Sequence, residues 1–158
     1  MTRKGFLLFC CAIAGLALGA GQAQAKPNFT GDWKLNAAKS DFGPMPPPEK
    51  LTMKIDHKEP NINVKQAQSG PQGDMEADIK YTTDGKETTN TIGPMEAKST
   101  ATWEADVLVI STKLNLGGTD LTIKGKWTLS EDGKTLTNAA HIVSPQGEID
   151  ITYVLEKQ

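Results

Sequence analysis

The chain has 158 residues, 17 Lys and Arg against 19 Asp and Glu, and a formal net charge of −2. That length is one domain's worth, and the mildly acidic balance argues against a nucleic-acid or anionic-membrane partner. Both cysteines (Cys10, Cys11) and the only arginine (Arg3) lie in the first 11 residues.

The N-terminus reads as an export signal. Arg3 and Lys4 form a basic start, residues 6–18 are almost wholly apolar, and Ala23-Gln24-Ala25 offers an A-x-A cleavage site. This tripartite order is the secretory signal pattern. The apolar run is about 13 residues, short of the roughly 20 that span a bilayer as a helix. Residues 1–25 are therefore assigned as a signal peptide and 26–158 as the mature domain, placed in the periplasm or outside the cell, with no stable membrane anchor. Removing the signal takes both cysteines and the arginine. The mature domain is then stapled by no disulfide and has no guanidinium fork to grip phosphate or carboxylate.

From Lys26 onward the apolar residues alternate. Leu51, Met53 and Ile55 interleave with Thr52, Lys54 and Asp56. Leu121, Ile123, Trp127 and Leu129 keep one phase, with Gly125 in the gap, and Ile149, Ile151, Tyr153 and Leu155 do the same. Period two means strands with one buried face. The alternation predicts strands at 30–36, 50–57, 61–68, 75–82, 86–92, 97–104, 107–116, 119–130, 135–143 and 148–157. Asp84-Gly85-Lys86 and Asp132-Gly133-Lys134 read as hairpin turns of the D-G type. Gly93-Pro94, Gly117-Gly118 and Pro145-Gln146-Gly147 mark others. The stretch 36–49, with Gly43-Pro44-Met45-Pro46-Pro47-Pro48, is a loop after at most a helical turn, because proline cannot donate to a ladder. It is expected to lie across a barrel mouth. The fold class is all-β: a single antiparallel up-and-down meander of about 8–10 strands closing into a barrel, which removes its exposed edges.

Gly31-Asp32-Trp33, near the start of the first strand, resembles the opening G-x-W signature of the calycins, the lipocalins and fatty-acid-binding proteins. In that group the tryptophan seals one end of the barrel. Phe29, Trp33-Lys34-Leu35 and Lys39-Ser40-Asp41-Phe42 are similar to the fatty-acid-binding opening, and Tyr153-Val154-Leu155-Glu156-Lys157 resembles the last strand. The resemblance implies a bacterial lipocalin-like barrel closed by Gly31, Trp33 and Lys157. Lys157 stands where lipocalins usually carry an arginine packed on the tryptophan. The arginine–tyrosine pair that holds a fatty-acid carboxylate is missing its arginine, and a proline-rich loop replaces the family's helical pair. The fold carries over; the fatty-acid mechanism does not.

Little in the chain supports catalysis. His57 and His141 lack metal-ligand spacing, no serine sits in a G-x-S-x-G elbow, and Glu76 and Asp78 read as a solvated face. His57 shares the inward phase of Ile55 and reads as a hydrogen-bonded strand-end histidine. The chain is therefore taken as a non-enzyme, without metal or cofactor. The inward candidates for a ligand wall are Met53, Ile79, Tyr81, Leu108, Ile110, Ile123, Trp127 and Tyr153, with Thr112 and Gly125 leaving room. Apolar walls with a few polar tips suit a small hydrophobic ligand. The alternative is a filled barrel that acts through its surface. In that reading it resembles the small periplasmic inhibitors of secreted metalloproteases, with Lys26-Pro27-Asn28-Phe29 as an inserting arm. That family has a disulfide that this chain lacks.

Overall fold

A computed structural model describes residues 25–71 and 73–158. The signal segment, up to Gln24, lies outside the described residues. The ten strands fall where the alternation places them, with ends shifted by at most two residues. They are β1 (Gly31–Leu35), β2 (Lys50–Lys58), β3 (Asn61–Ser69), β4 (Met75–Thr82), β5 (Thr88–Ile92), β6 (Met95–Glu104), β7 (Val107–Leu116), β8 (Thr119–Leu129), β9 (Thr135–Ser144) and β10 (Gly147–Lys157). Among the described residues the helical content is one 3₁₀ turn at Ala37–Lys39, which Asn36 caps by accepting from the Lys39 N–H.

All ten strands form one antiparallel sheet in the order β4-β3-β2-β1-β10-β9-β8-β7-β6-β5. Consecutive strands pair throughout except β4 with β5, and β1 joins β10 through Trp33 opposite Lys157 and Leu35 opposite Leu155. The sheet curls until β4 and β5 come side by side, but no backbone ladder links them. The side chain of Asn90 on β5 bridges the gap. It accepts from the Lys80 N–H at 2.7 Å and donates to the Lys80 carbonyl at 3.0 Å. One amide thus supplies the two hydrogen bonds of a missing ladder rung.

The Asp84-Gly85 turn accordingly does not close a ladder between β4 and β5. Gly85 N–H donates to the Ala101 carbonyl, and Asp84 bridges to Thr102 on β6. The Asp132 turn behaves as its sequence suggests. Its carboxylate accepts from the Lys134 N–H and the Ser130 hydroxyl. At the β7–β8 tip both Gly117 and Gly118 have positive φ, the conformation a tight hairpin needs.

Register explains the two faces. Trp33, Met53, Leu108, Trp127, Leu136 and Leu155 point inward and are buried, while Lys54, Lys98, Lys124 and Glu156 point out. Many of the fully covered large side chains gather at the end where β1 begins (Phe29, Trp33, Ile55, Ile62, Leu108, Leu136 and Leu155), while Leu51 and Ala97 are covered further along the barrel. Burying each such side chain stabilises the fold by about 1.5–3 kcal/mol.

Candidate binding cup above an aromatic floor

Phe29 centres the floor. It stacks on His57 (5.7 Å between centroids) and on Trp103 (5.8 Å), and meets Trp127 edge-on at 5.6 Å. Its carbonyl accepts from Trp33 Nε1 at 2.9 Å, and its N–H donates to His57 Nδ1 at 3.2 Å. Accepting at Nδ1 leaves the His57 proton on Nε2, which faces Glu59 Oε1 at 3.0 Å. Glu59 also accepts from Trp103 Nε1 at 2.8 Å and from the Thr83 hydroxyl. Partial burial raises its pKa, but the bonds from Thr83, His57 and Trp103 outweigh that and leave the carboxyl below its ordinary value. His57 is thus a hydrogen-bonded part of the floor. His141 lies apart on the outer wall, 2.7 Å from Asp150. Among the described residues, no group of three His, Cys, Asp or Glu could hold a metal ion.

The segment 26–29 is held by its own barrel. Phe29 is completely buried, and Lys26 Nζ donates to the Ala105 carbonyl at 2.7 Å while lying 5.4 Å from the Trp103 ring centre. Gly31, Trp33 and Lys157 meet beside it. The Lys157 amine lies 5.4 Å from the centre of the Trp33 ring. Its methylenes cross Gly31 so closely that a Cβ there would come within 2.6 Å of Lys157 Cε. Gly31 also holds φ +148°, a conformation that favours glycine.

Above the floor the inward side chains shrink. Gly125, Ala140, Ala101, Ala97 and Ala77 share the inward phase. Beyond them Leu121, Ile123, Ile142, Ile149, Met75 and Met95 are only partly covered. The less covered upper half of the barrel is the candidate cup. The segment after the 3₁₀ turn runs along β10, with Asp41 pairing Thr152, and brings Phe42 edge-on to Tyr153 at 5.6 Å. Met45 and Pro46–Pro48 then lie at the rim, enclosing about 120 Å³ together with Phe42, Gln68, Pro71 and Tyr153. Wider depressions of about 360 Å³ near Ala67 and about 500 Å³ near Lys98 and Lys113 are open and lined largely by outward side chains.

The eight sequence-predicted wall residues divide by depth. Leu108 and Trp127 are in the packed floor. Met53, Ile79 and Ile110 are buried in the wall, and Tyr81, Ile123 and Tyr153 are partly covered. Tyr81 meets Trp127 edge-on at 6.2 Å, and burial pushes its hydroxyl up to about 12. Burial raises the Tyr153 hydroxyl as well. Thr112 is tied to Ser99 by a buried hydroxyl–hydroxyl bond of 2.9 Å.

Two features of this interior bear on what it could hold. First, every inward strand position between Leu51 and Leu155 is uncharged. Second, Asn138 faces inward between Trp127 and Tyr153, and its Oδ1 is buried with no hydrogen-bond partner among the described residues. A buried acceptor left unpaired costs about 1–3 kcal/mol. The small residue at position 125, visible in the sequence, leaves the room that the Asn138 amide fills.

Solved structures share this architecture. A secretory abundant heat soluble protein from Ramazzottius varieornatus matches with a TM-score of 0.58 at 13% identity, over 86% of this chain and 98% of its own. The shared fold is an antiparallel up-and-down β-barrel. Zebrafish ileal bile acid-binding protein, complexed with cholic acid, matches with a TM-score of 0.55 at 16% identity, over 82% of this chain and 98% of its own. A mutant of the fluorescent protein UnaG matches with a TM-score of 0.54 at 17% identity, over 82% and 95%. No protein-family model matches the sequence, and neither does any curated protein.

Proposed function

We propose that this protein is an exported, non-enzymatic binding protein that holds a small apolar molecule in the upper half of its calycin barrel. The observation that carries the reading is the contrast in depth along the inward face. An aromatic floor is fully packed, whereas Leu121, Ile123, Ile142, Ile149, Met75 and Met95 above it are only partly covered, near a proline-rich rim. Apolar walls with a few neutral polar tips are the composition of a small-molecule site. The zebrafish bile acid-binding protein gives the same fold an amphipathic ligand. Export rests on Arg3, Lys4, the apolar run 6–18 and Ala23-Gln24-Ala25; it places the protein in the periplasm or outside the cell.

The test is titration with a neutral hydrophobic fluorophore such as Nile red, compared with an Ile123→Trp variant. Ile123 is on the cup wall, so a bulkier ring there fills the space. One saturable site in the natural chain, lost in the variant, supports the reading. Absence of a saturable site, or equal binding by both proteins, sinks it.

A second reading puts the function on the surface, in the manner of a protease inhibitor. Leu116 is 53% exposed on β7 beside the Gly117-Gly118 tip, and Val143 is 36% exposed on β9. The arm at 26–29 is less suited, because inserting it elsewhere would withdraw Phe29 from the floor. A Leu116→Asp, Val143→Asp variant that binds Nile red normally but loses inhibition of a secreted metalloprotease would favour this reading over the cup.

A further inference from the structure

Phe29 is tied into the floor by a hydrogen bond that requires a neutral imidazole. Its N–H donates to His57 Nδ1 at 3.2 Å, so Nδ1 carries no proton. The ring's one proton is on Nε2, 3.0 Å from Glu59 Oε1. Both partners are shut off from water: Phe29 is completely buried and His57 is 3% exposed. Among the described residues the Phe29 N–H has this one acceptor.

A second proton on the ring has only Nδ1 to enter. Two N–H donors would then face each other, and the buried Phe29 N–H would be left without an acceptor. The counter-charge for an imidazolium is nevertheless already in place. Glu59 touches the opposite nitrogen, and although partial burial raises its pKa, the bonds from Thr83, His57 and Trp103 outweigh that and keep it ionised in mild acid. The other charged and titratable groups around the ring are engaged elsewhere. Asp56 and Lys58, which flank His57 on β2, point outward and pair with each other. Lys26 lies over Trp103 and donates to the Ala105 carbonyl. Asp84 pairs with Lys86, and Tyr81 on β4 meets Trp127. The neutral ring thus holds both Glu59 and Phe29, whereas the charged ring keeps Glu59 and loses Phe29.

We propose that the segment 26–29 is a proton-released plug of the barrel floor: a second proton on His57 takes the place of the Phe29 hydrogen bond, and Phe29 withdraws. The apolar contacts of Phe29 and the Lys26 bond persist in acid, so protonation shifts the population of plugged and open floors rather than abolishing the plug. Withdrawal also frees Trp33 Nε1, which donates to the Phe29 carbonyl at 2.9 Å. The proposal is independent of the cup and needs no ligand to test.

The test is hydrogen exchange of the Phe29 amide in the natural chain between about pH 8 and about pH 5, expressed as a protection factor, beside the nitrogen shifts of the His57 ring. Phe29 protection falls about tenfold, with the midpoint at which the ring takes its second proton, while amides at the centre of β8 and β9 keep theirs. His57→Asn, which puts a neutral oxygen near the position of Nδ1, loses this pH response. His141→Gln, altered on the outer wall, retains it. A His57 ring that takes its second proton while Phe29 protection holds overturns the plug, as does a ring that stays neutral down to about pH 5. An undiminished response in His57→Asn overturns it too. Should His57→Asn fail to fold, the ring shifts and the exchange of the natural chain decide by themselves.

Discussion

The Lys157 side chain lies over the Trp33 ring, its amine 5.4 Å from the ring centre, with Gly31 beneath its methylenes. Residues near the two ends of the chain thereby close the floor of the barrel. The ladder Trp33–Lys157 holds the strands together, and the cation faces the negative face of the indole. Replacing Lys157 by Ala should cost about 0.5–1 kcal/mol, and Lys157→Arg should keep the contact. Gly31→Ala should cost about 1–3 kcal/mol, because it adds a clash with Lys157 to an unfavourable φ. In the double variant with Lys157→Ala the clash disappears, so the losses should fall short of additive. Urea midpoints of the four proteins check this, and strict additivity would show that the two residues do not touch in solution.

The Asn90 amide is the hydrogen-bonded stitch between β4 and β5. Asn90→Ala leaves both the N–H and the carbonyl of Lys80 without their partner, and should cost about 2–3 kcal/mol. Hydrogen exchange locates the effect. The Lys80 amide should lose its protection while amides at the centre of β8 and β9 keep theirs. Unchanged protection of Lys80 would mean that the gap closes without the stitch.

Glu59 makes the floor acid-sensitive. Its folded pKa lies below the ordinary 4.5, so the folded state binds this proton less readily than the unfolded chain does. The resulting stability is present above the unfolded pKa and drains away as pH falls through the folded one. Glu59→Gln removes that contribution and should flatten the fall in urea midpoint between neutral pH and about pH 3.5. The slope that remains belongs to Asp84, Asp132 and Glu156, whose pKa values are also lowered by hydrogen bonds. An unchanged slope in the variant would show that His57, Thr83 and Trp103 do not hold the ionised carboxylate.

At the alkaline end the sign reverses. Burial holds the Tyr81 hydroxyl near 12 against an ordinary 10.0, so the folded chain keeps a proton that the unfolded chain gives up. Stability should therefore decline as pH rises from 10 towards 12. Ultraviolet titration of tyrosinate gives the direct measure. Both tyrosines should titrate above the ordinary value, and unfolding in urea should return both to it. A Tyr81→Phe variant should lose the later of the two steps; if it loses the earlier one, Tyr153 is the more deeply buried hydroxyl.

Much of the barrel is written in local pattern. Leu51, Met53 and Ile55, or Ile149, Ile151, Tyr153 and Leu155, identify their strands because a residue type that recurs every second position can only line one face. Gly117-Gly118 and Asp132-Gly133 place their turns for equally local reasons. Asp84-Gly85 has the same composition and a different outcome. It turns the chain at the one place where neighbouring strands separate, and whether a ladder follows depends on how far the closed sheet has curled.

The site was less legible. Asn138 shares the phase of Leu136 and Ala140, so its inward direction can be read from the strand. Its isolation cannot, because that depends on Trp127, Gly125 and Tyr153 arriving from two other strands. Glu59 sits in a turn that looks solvated, and the donors that converge on it come from positions 57, 83 and 103.

The sequence by itself determined the strands, the turns, the side of each strand that faces inward and the uncharged character of that side. These are properties of single segments, set by backbone geometry and by the cost of burying a charge. Only the tertiary structure decided which inward residues became floor and which became cup. The period-two pattern is the same in both halves of every strand, so depth is assigned only when the stagger of the closed sheet brings Phe29 beneath Trp127 and leaves Ile123 near the rim. The same closure carries Lys157 onto Trp33 and buries the Asn138 oxygen without a hydrogen-bond partner among the described residues.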